Sequence, residues 1–198
     1  ARRHSGMANK NARNPSAVGI GAGMTGILMA IKLREAGIRD VTILEKADKV
    51  GGTWRENTYP GVACDIPAHM YTYAFRGNPE WQHRFAHGDE IQAYFEKISS
   101  DYGVTDQVRF NESVDASHYR DGKWYLRTSQ GNELVADFVI AATGILHHPA
   151  YPDIQGLDSY RGAMFHTARW DHSVDLTGKR VGIIGTGSTA AQVISEIS

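Results

Sequence analysis

Gly21-Ala22-Gly23-Met24-Thr25-Gly26 stands directly after the apolar run Ala17-Val18-Gly19-Ile20 and directly before a stretch of helix formers from Ile27 to Ala36. A strand that turns through Gly-x-Gly-x-x-Gly into a helix is the start of a β-α-β unit, and that unit requires a parallel sheet. Each glycine has its own task. Gly21 permits the tight turn, Gly23 lets backbone approach a pyrophosphate, and Gly26 lets the helix lie close on the strand. The helix N-terminus then presents free N–H groups and a partial positive charge to the phosphates. Gly37 stops the helix, and the β-branched run Val41-Thr42-Ile43-Leu44 is the next strand. Glu45 follows at its end, 19 residues past Gly26, where an acid that binds ribose hydroxyls is expected at about 20. The spacing therefore predicts a dinucleotide site on an α/β frame.

The rest of the chain divides by punctuation. Residues 46–87 are irregular and aromatic, with Gly-Gly, Pro-Gly and Ile-Pro breaks. So long a loop is uncommon in a compact domain unless it binds something. Asp89 to Tyr102 reads as a helix with Ile91, Tyr94, Phe95, Ile98 and Tyr102 as its apolar stripe, ended by Gly103. Residues 107–136 switch to short strands with turns at Asp121-Gly122 and Gln130-Gly131-Asn132, a β-meander. Phe138 to Ala142 is the continuous apolar run expected of a central parallel strand. After a Pro- and Gly-punctuated crossing, Val181-Gly182-Ile183-Ile184 and Gly185-Thr186-Gly187-Ser188-Thr189-Ala190 repeat the opening pattern of strand, glycine turn and helix. Ala in the third glycine position is an allowed form of that turn. Two such turns point to two dinucleotides and to redox relay between a nicotinamide and a flavin. The chain stops at Ser198 within this last helix, and the expectation is the front part of a longer protein.

Composition excludes several other classes. The net charge is −1, so no basic field serves nucleic acid or an anionic membrane. Cys64 is the one cysteine, which rules out an intramolecular disulfide and any C-x-x-C pair. No apolar run approaches the roughly 20 residues of a membrane span, and the start carries no signal-peptide core. These features set a cytoplasmic expectation. Residues 1–14 carry basic residues without acids and are expected to form a disordered tail. The 9 His do not cluster as metal ligands; His83 and His87 lack an evident third partner. Gly185-Thr186-Gly187-Ser188 is not a nucleophile elbow.

Four stretches together resemble the type I Baeyer–Villiger monooxygenases, within the wider class of flavin-dependent monooxygenases. The first is the glycine turn with Glu45. The second is Gly51-Gly52-Thr53-Trp54 running on to Asn57, Tyr59-Pro60-Gly61, Cys64-Asp65 and Tyr71. The third is Ala142-Thr143-Gly144 followed by Pro149 and Pro152. The fourth is Tyr160-x-Gly162-x-x-x-His166-x-x-x-Trp170-Asp171, which is similar to the family fingerprint with Tyr160 in place of Phe. The resemblance spans Ser16 to Ser198. It implies a Rossmann-like flavoprotein with two dinucleotide-binding domains: a FAD-binding domain over 15–145, a linker with the fingerprint over 146–178, and the start of an NADP-binding domain over 179–198.

By the same resemblance, Gly21, Gly23, Thr25, Gly26 and Glu45 would hold the ADP half of FAD. Thr53, Trp54, Asp65, Ile66 and Tyr71 would lie near the flavin, and Val114 would face the adenine side. Gly185, Thr186, Gly187, Ser188, Thr189, Ala190 and Gln192 would hold the NADP pyrophosphate. Asp65 and His166 would be the catalytic residues, Asp65 orienting an Arg beyond Ser198 and His166 coupling the domains. The implied reaction takes NADPH, molecular oxygen and a ketone through a flavin C4a-peroxide to an ester or lactone. An N- or S-oxygenating flavin monooxygenase is the rival enzyme, and Trp170-Asp171 speaks against it because that group usually carries another aromatic there. A disulfide reductase of similar fold needs a cysteine pair that Cys64 does not supply. A FAD-binding module without catalysis is the non-enzyme alternative.

Overall fold

The computed structural model describes residues 14–198, so the expected tail falls on residues outside that range apart from Asn14. Strand β1, Ser16–Ile20, leads through the glycine turn into helix α1, Met24–Glu35. The helix starts three residues before the reading of the sequence placed it, because Gly26 lies in its first turn. Gly37, at φ +90°, ends it, and the Ile38 N–H reaches back to the Leu33 carbonyl at 2.9 Å. Strand β2, Asp40–Leu44, then pairs in parallel with β1. The long loop that follows contains one four-residue helix, α2, Thr53–Glu56.

Helix α3, Gly88–Asp101, buries Ile91, Tyr94, Phe95 and Ile98 of its expected stripe in the main core with Ile27, Ile31 and Ile43, while Tyr102 caps the helix and packs half-buried against the same core. It also organises the loop. The Tyr94 hydroxyl donates to the Arg76 carbonyl at 2.6 Å and accepts from the Tyr73 N–H at 3.0 Å. The Tyr73 hydroxyl donates to the Met24 carbonyl at 2.6 Å, and burial pushes its phenol up, so it stays a neutral donor.

Strand β3, Val108–Arg109, adds to β2. The meander follows as antiparallel β4, Val114–Arg120, β5, Lys123–Thr128, and β6, Glu133–Ala136. Asp121 and Gly122 both have positive φ, as a two-residue turn matched to strand twist requires. Strand β7, Phe138–Ala141, closes the parallel sheet in the order β3-β2-β1-β7. It is an edge strand among the described residues, with Phe138 53% exposed, rather than the central strand its composition predicts. An unbroken apolar run marks burial, and burial on one face by the meander's Leu126 and Ala136 is what Val139 finds here.

Glu112 ties meander to sheet. Its carboxylate accepts from the Thr128 hydroxyl at 2.7 Å and from Asn132 Nδ2 at 2.8 Å, and its backbone N–H donates to the Glu45 carbonyl at 2.9 Å. The Asn132 amide, then the Thr128 hydroxyl, hold the carboxyl below its ordinary value. The stabilisation is thus complete above the ordinary carboxylate range and is lost as pH falls through the lowered folded value. Thr128→Val is expected to cost about 1–3 kcal/mol near neutral pH by leaving a buried charged acceptor short of a donor. Stability of this variant should fall less steeply than wild type on acidification, read by denaturant melts at pH 7 and pH 3.

Residues 142–187 cross without a strand. They hold short 3₁₀ turns at Leu157–Ser159 and Thr167–Arg169, and end in helix α4, Ser188–Ile197. Val181-Gly182-Ile183-Ile184 was expected as a strand and is none: among the described residues nothing pairs with it, and Ile184 is 68% exposed. A parallel strand exists only with a neighbour to take its N–H and C=O groups. No helix among the described residues is long and apolar enough to cross a membrane.

Candidate dinucleotide site

A cavity of about 440 Å³ opens at the carboxyl ends of β1, β2 and β7, where ligands bind in open α/β sheets. Gly21, Gly23, Thr25, Glu45, Thr53, Trp54, Tyr71 and Val114 line it together. Residues some 90 positions apart in the chain thus share one wall. The glycines matter here as space. Gly21 has φ +100°, and a Cβ on it would stand 2.6 Å from the Ala142 carbonyl oxygen. Gly23 faces Gly52, whose Cα would be 3.5 Å from a Cβ on Gly23, so both backbones lie bare to the cavity. No side chain caps the start of α1, which leaves its first N–H groups for a ligand.

Glu45 is only 4% exposed. Its Oε2 accepts from the Ala22 N–H at 2.7 Å, inside the glycine turn, and its Oε1 accepts from the Ala47 N–H at 2.9 Å and from Arg55 at 3.2 Å. A carboxylate has about four acceptor positions, so one remains on Oε2 of this cavity-lining residue. Trp54 Nε1 donates to the Tyr71 hydroxyl at 3.1 Å, with the rings edge to face. Burial pushes the Tyr71 phenol up, so that hydroxyl stays protonated.

Other expected site residues lie elsewhere. Asp65 and Ile66 are exposed and do not line this cavity; the Ile66 N–H donates to Cys64 Sγ at 3.4 Å. Burial pushes the Cys64 thiol up, and the Asp65 carboxylate adds to that, so the thiol is not primed for attack. The second glycine turn, Gly185 to Ala190, is also apart from the cavity, but α4 docks on the loop that carries Asp65. The Ser188 hydroxyl donates to Asp65 Oδ2 at 3.1 Å, the Tyr59 hydroxyl donates to Gln192 Oε1 at 2.9 Å, and Gln192 Nε2 donates to the Ala63 carbonyl at 2.9 Å.

His166 lines no described cavity. Its Nδ1 accepts from the Ala168 N–H at 3.1 Å and caps the 3₁₀ turn, while the His166 backbone N–H donates to the Tyr151 hydroxyl at 3.1 Å. Trp170 is extended, so the two fingerprint residues do not sit one helical turn apart. Arg169 makes the fingerprint's link to the cavity, donating to the His147 carbonyl at 3.3 Å. Arg55, Glu56 and Lys46 also line the cavity and carry no motif in the sequence; His147, which reads in the sequence as a histidine without a metal-binding partner, lines it too. The one signal was position: Arg55 follows Trp54. His83 and His87 stack at 4.2 Å, and His83 Nδ1 meets Glu90 Oε1 at 2.6 Å. Among the described residues no cluster of three or more His, Cys, Asp or Glu could hold a metal ion.

A profile of the pyridine nucleotide-disulphide oxidoreductase family matches residues 18–198. The chain belongs to this family. The disulphide chemistry in the family's name needs a cysteine pair, and Cys64 has no partner. Its relatives narrow the placement. An uncharacterised monooxygenase of Mycobacterium tuberculosis is 52% identical over 182 residues, 92% of this chain and 37% of the relative. A Baeyer-Villiger monooxygenase of Streptomyces coelicolor is 45% identical over 180 residues, 90% of this chain and 34% of the relative. Among solved structures, OTEMO in complex with FAD and NADP aligns with a TM-score of 0.84 and 38% identity, over 93% of this chain and 37% of that one. The chain therefore spans about a third of the length of these relatives, and the resemblance to Baeyer–Villiger monooxygenases and the Rossmann-like α/β class are borne out.

Proposed function

We propose that the protein carrying this chain is a FAD- and NADPH-dependent monooxygenase that converts a ketone and molecular oxygen to an ester or lactone. The single observation that carries this reading is the cavity where a complete Gly-x-Gly-x-x-Gly turn, its Glu45 and the Trp54–Tyr71 pair converge. The bare backbone of Gly23 and Gly52, which line the cavity without side chains and face each other closely, fits the pyrophosphate of a dinucleotide. FAD, when bound, supplies hydride acceptance and oxygen activation.

This chain's residues supply the rest. Gly21, Gly23 and Thr25 border the phosphates, Gly26 keeps the helix close enough on the strand for its N-terminus to reach them, and Glu45 takes a ribose hydroxyl. Thr53, Trp54 and Tyr71 border the flavin, with Val114 beside the adenine. Gly185, Thr186, Gly187, Ser188, Thr189, Ala190 and Gln192 serve NADPH. Residues 15–145 form the FAD domain, 146–178 the linker and 179–198 the opening of the NADP domain. His166 couples the two through its turn. A cytoplasmic location fits the buried, unpaired Cys64. Asp65 is the acid that connects the two halves: it sits on the loop after Tyr59-Pro60-Gly61 and holds Ser188 of the second glycine turn.

Asp65→Ala in the full-length protein is expected to keep FAD and much of the NADPH oxidation while losing most ester formation. Hydrogen peroxide and ester, counted together per NADPH consumed, decide it. Peroxide approaching one per NADPH supports the role; wild-type ester yield in this variant removes Asp65 from the mechanism.

A further inference from the structure

Arg55 does something that neither the fold nor the glycine turn requires. Its Nη1 donates to Glu45 Oε1 at 3.2 Å and to the Lys49 carbonyl at 2.7 Å, and its Nη2 donates to Glu56 Oε1 at 3.0 Å. The guanidinium side chain is 10% exposed, and the two carboxylates are 6% and 12% exposed. One buried cation thus holds two buried anions at the wall of the cavity. The second anion is held from its other side as well: Glu56 Oε2 meets His147 Nδ1 at 3.1 Å, and His147 Nε2 lies against the Lys46 ammonium. The first anion leads straight to the glycine turn through the Ala22 N–H.

From this arrangement we infer that Arg55 is the positioning residue for ribose recognition, and that it acts through Glu45. The inference rests on the proposed FAD site. A ribose hydroxyl needs an ionised, fixed acceptor. Two carboxylates sharing a dry wall repel, and removing the one cation that bridges them leaves uncompensated buried charge. Glu45, no longer held by the guanidinium and pushed by Glu56, then swings off the Ala22 N–H. That movement takes the acceptor out of its fixed place beside the ribose position. A lysine cannot replace the fork, because one compact ammonium does not span two carboxylates and a carbonyl with fixed geometry.

The test uses the full-length protein stripped of FAD, with ADP and its 2′,3′-dideoxy analogue as probes and affinity as the readout. In wild type ADP is expected to bind about tenfold or more tighter than the dideoxy analogue, the worth of a hydrogen bond to a charged group. Arg55→Met is expected to bring the two affinities within about twofold, chiefly by weakening ADP. Arg55→Lys is expected to keep only part of the preference. Adding Glu56→Gln to Arg55→Met removes the repelling partner and is expected to restore part of it, a coupling that lost packing alone does not produce. Equal weakening of both probes by Arg55→Met, with the preference intact, overturns the inference and leaves the ribose role of Glu45 standing. A wild-type protein without preference overturns the ribose role itself, and this inference with it. Should Arg55→Met fail to fold, the Arg55→Lys comparison decides: an undiminished preference there also overturns it.

Discussion

Gly26→Ala is expected to yield protein with little or no bound FAD and a lower melting temperature. The added Cβ would stand 1.9 Å from the Gly21 carbonyl oxygen and 3.0 Å from its carbon. Both are backbone atoms of the turn, so no side chain can step aside. Helix α1 has to lift from β1, and the lift carries the Met24 and Thr25 N–H groups away from the phosphate position. Overpacking a core costs about 1–3 kcal/mol and occasionally more, and a contact this short lies at the upper end. Gly37→Ala is the matched control. Its φ of +90° makes alanine strained there, but nothing lies within 4 Å of the new Cβ and the site is remote from the cavity. It is expected to lower stability by about 1–2 kcal/mol and to keep its FAD. Flavin absorbance per protein and melting temperature, measured on both variants, separate the two effects. Full FAD occupancy in Gly26→Ala would show that the close helix-on-strand contact is dispensable.

How far the sequence led depends on how local each signal is. The glycine turn, Glu45 and the stripe on α3 are set by neighbours within a few residues, and each stands where its pattern places it. The Asp121-Gly122 turn is equally local, since only small or polar residues accept two positive φ values in a row. Strands are less local. Phe138 to Ala141 and Val181 to Ile184 have similar composition, yet one pairs with β1 and the other pairs with nothing among the described residues. Their difference lies in the partner, which composition does not encode. Tyr59-Pro60-Gly61 reads as turn punctuation, and Gly61 does have φ +76°. What the pattern hides is that a Cβ there would come within 2.8 Å of the Gln192 carbonyl on α4, so this glycine also admits a helix far along the chain. Arg55 was invisible for a like reason. A long side chain chooses its partners in three dimensions, and the residues beside it in the chain do not name Glu45 or the Lys49 carbonyl.

Glu45→Ala is expected to be among the most damaging single changes in the site, in two separable ways. Without any cofactor, three donors lose their acceptor at once: the Ala22 N–H, the Ala47 N–H and the Arg55 guanidinium. The guanidinium keeps Glu56 as its counter-charge, so the cost is that of buried donors left unsatisfied, about 1–3 kcal/mol, a sizeable share of the roughly 5–15 kcal/mol that holds a domain folded. With FAD offered, the ribose loses its acceptor and the glycine turn loses the bond that fixes Ala22. Glu45→Gln separates these. The amide keeps the volume, and its oxygen can still accept from Ala22, but its NH₂ then faces the Ala47 and Arg55 donors, and the guanidinium keeps Glu56 alone as its counter-charge. Glu45→Gln should therefore melt between wild type and Glu45→Ala when stripped of FAD. Its FAD affinity should fall about tenfold or more, the loss of a charge-assisted hydrogen bond. Calorimetric melts of the FAD-free proteins and titration with FAD read the two losses independently. A Glu45→Ala protein that melts like wild type without FAD would remove the structural half of the argument, and one that binds FAD with wild-type affinity would remove the ribose half.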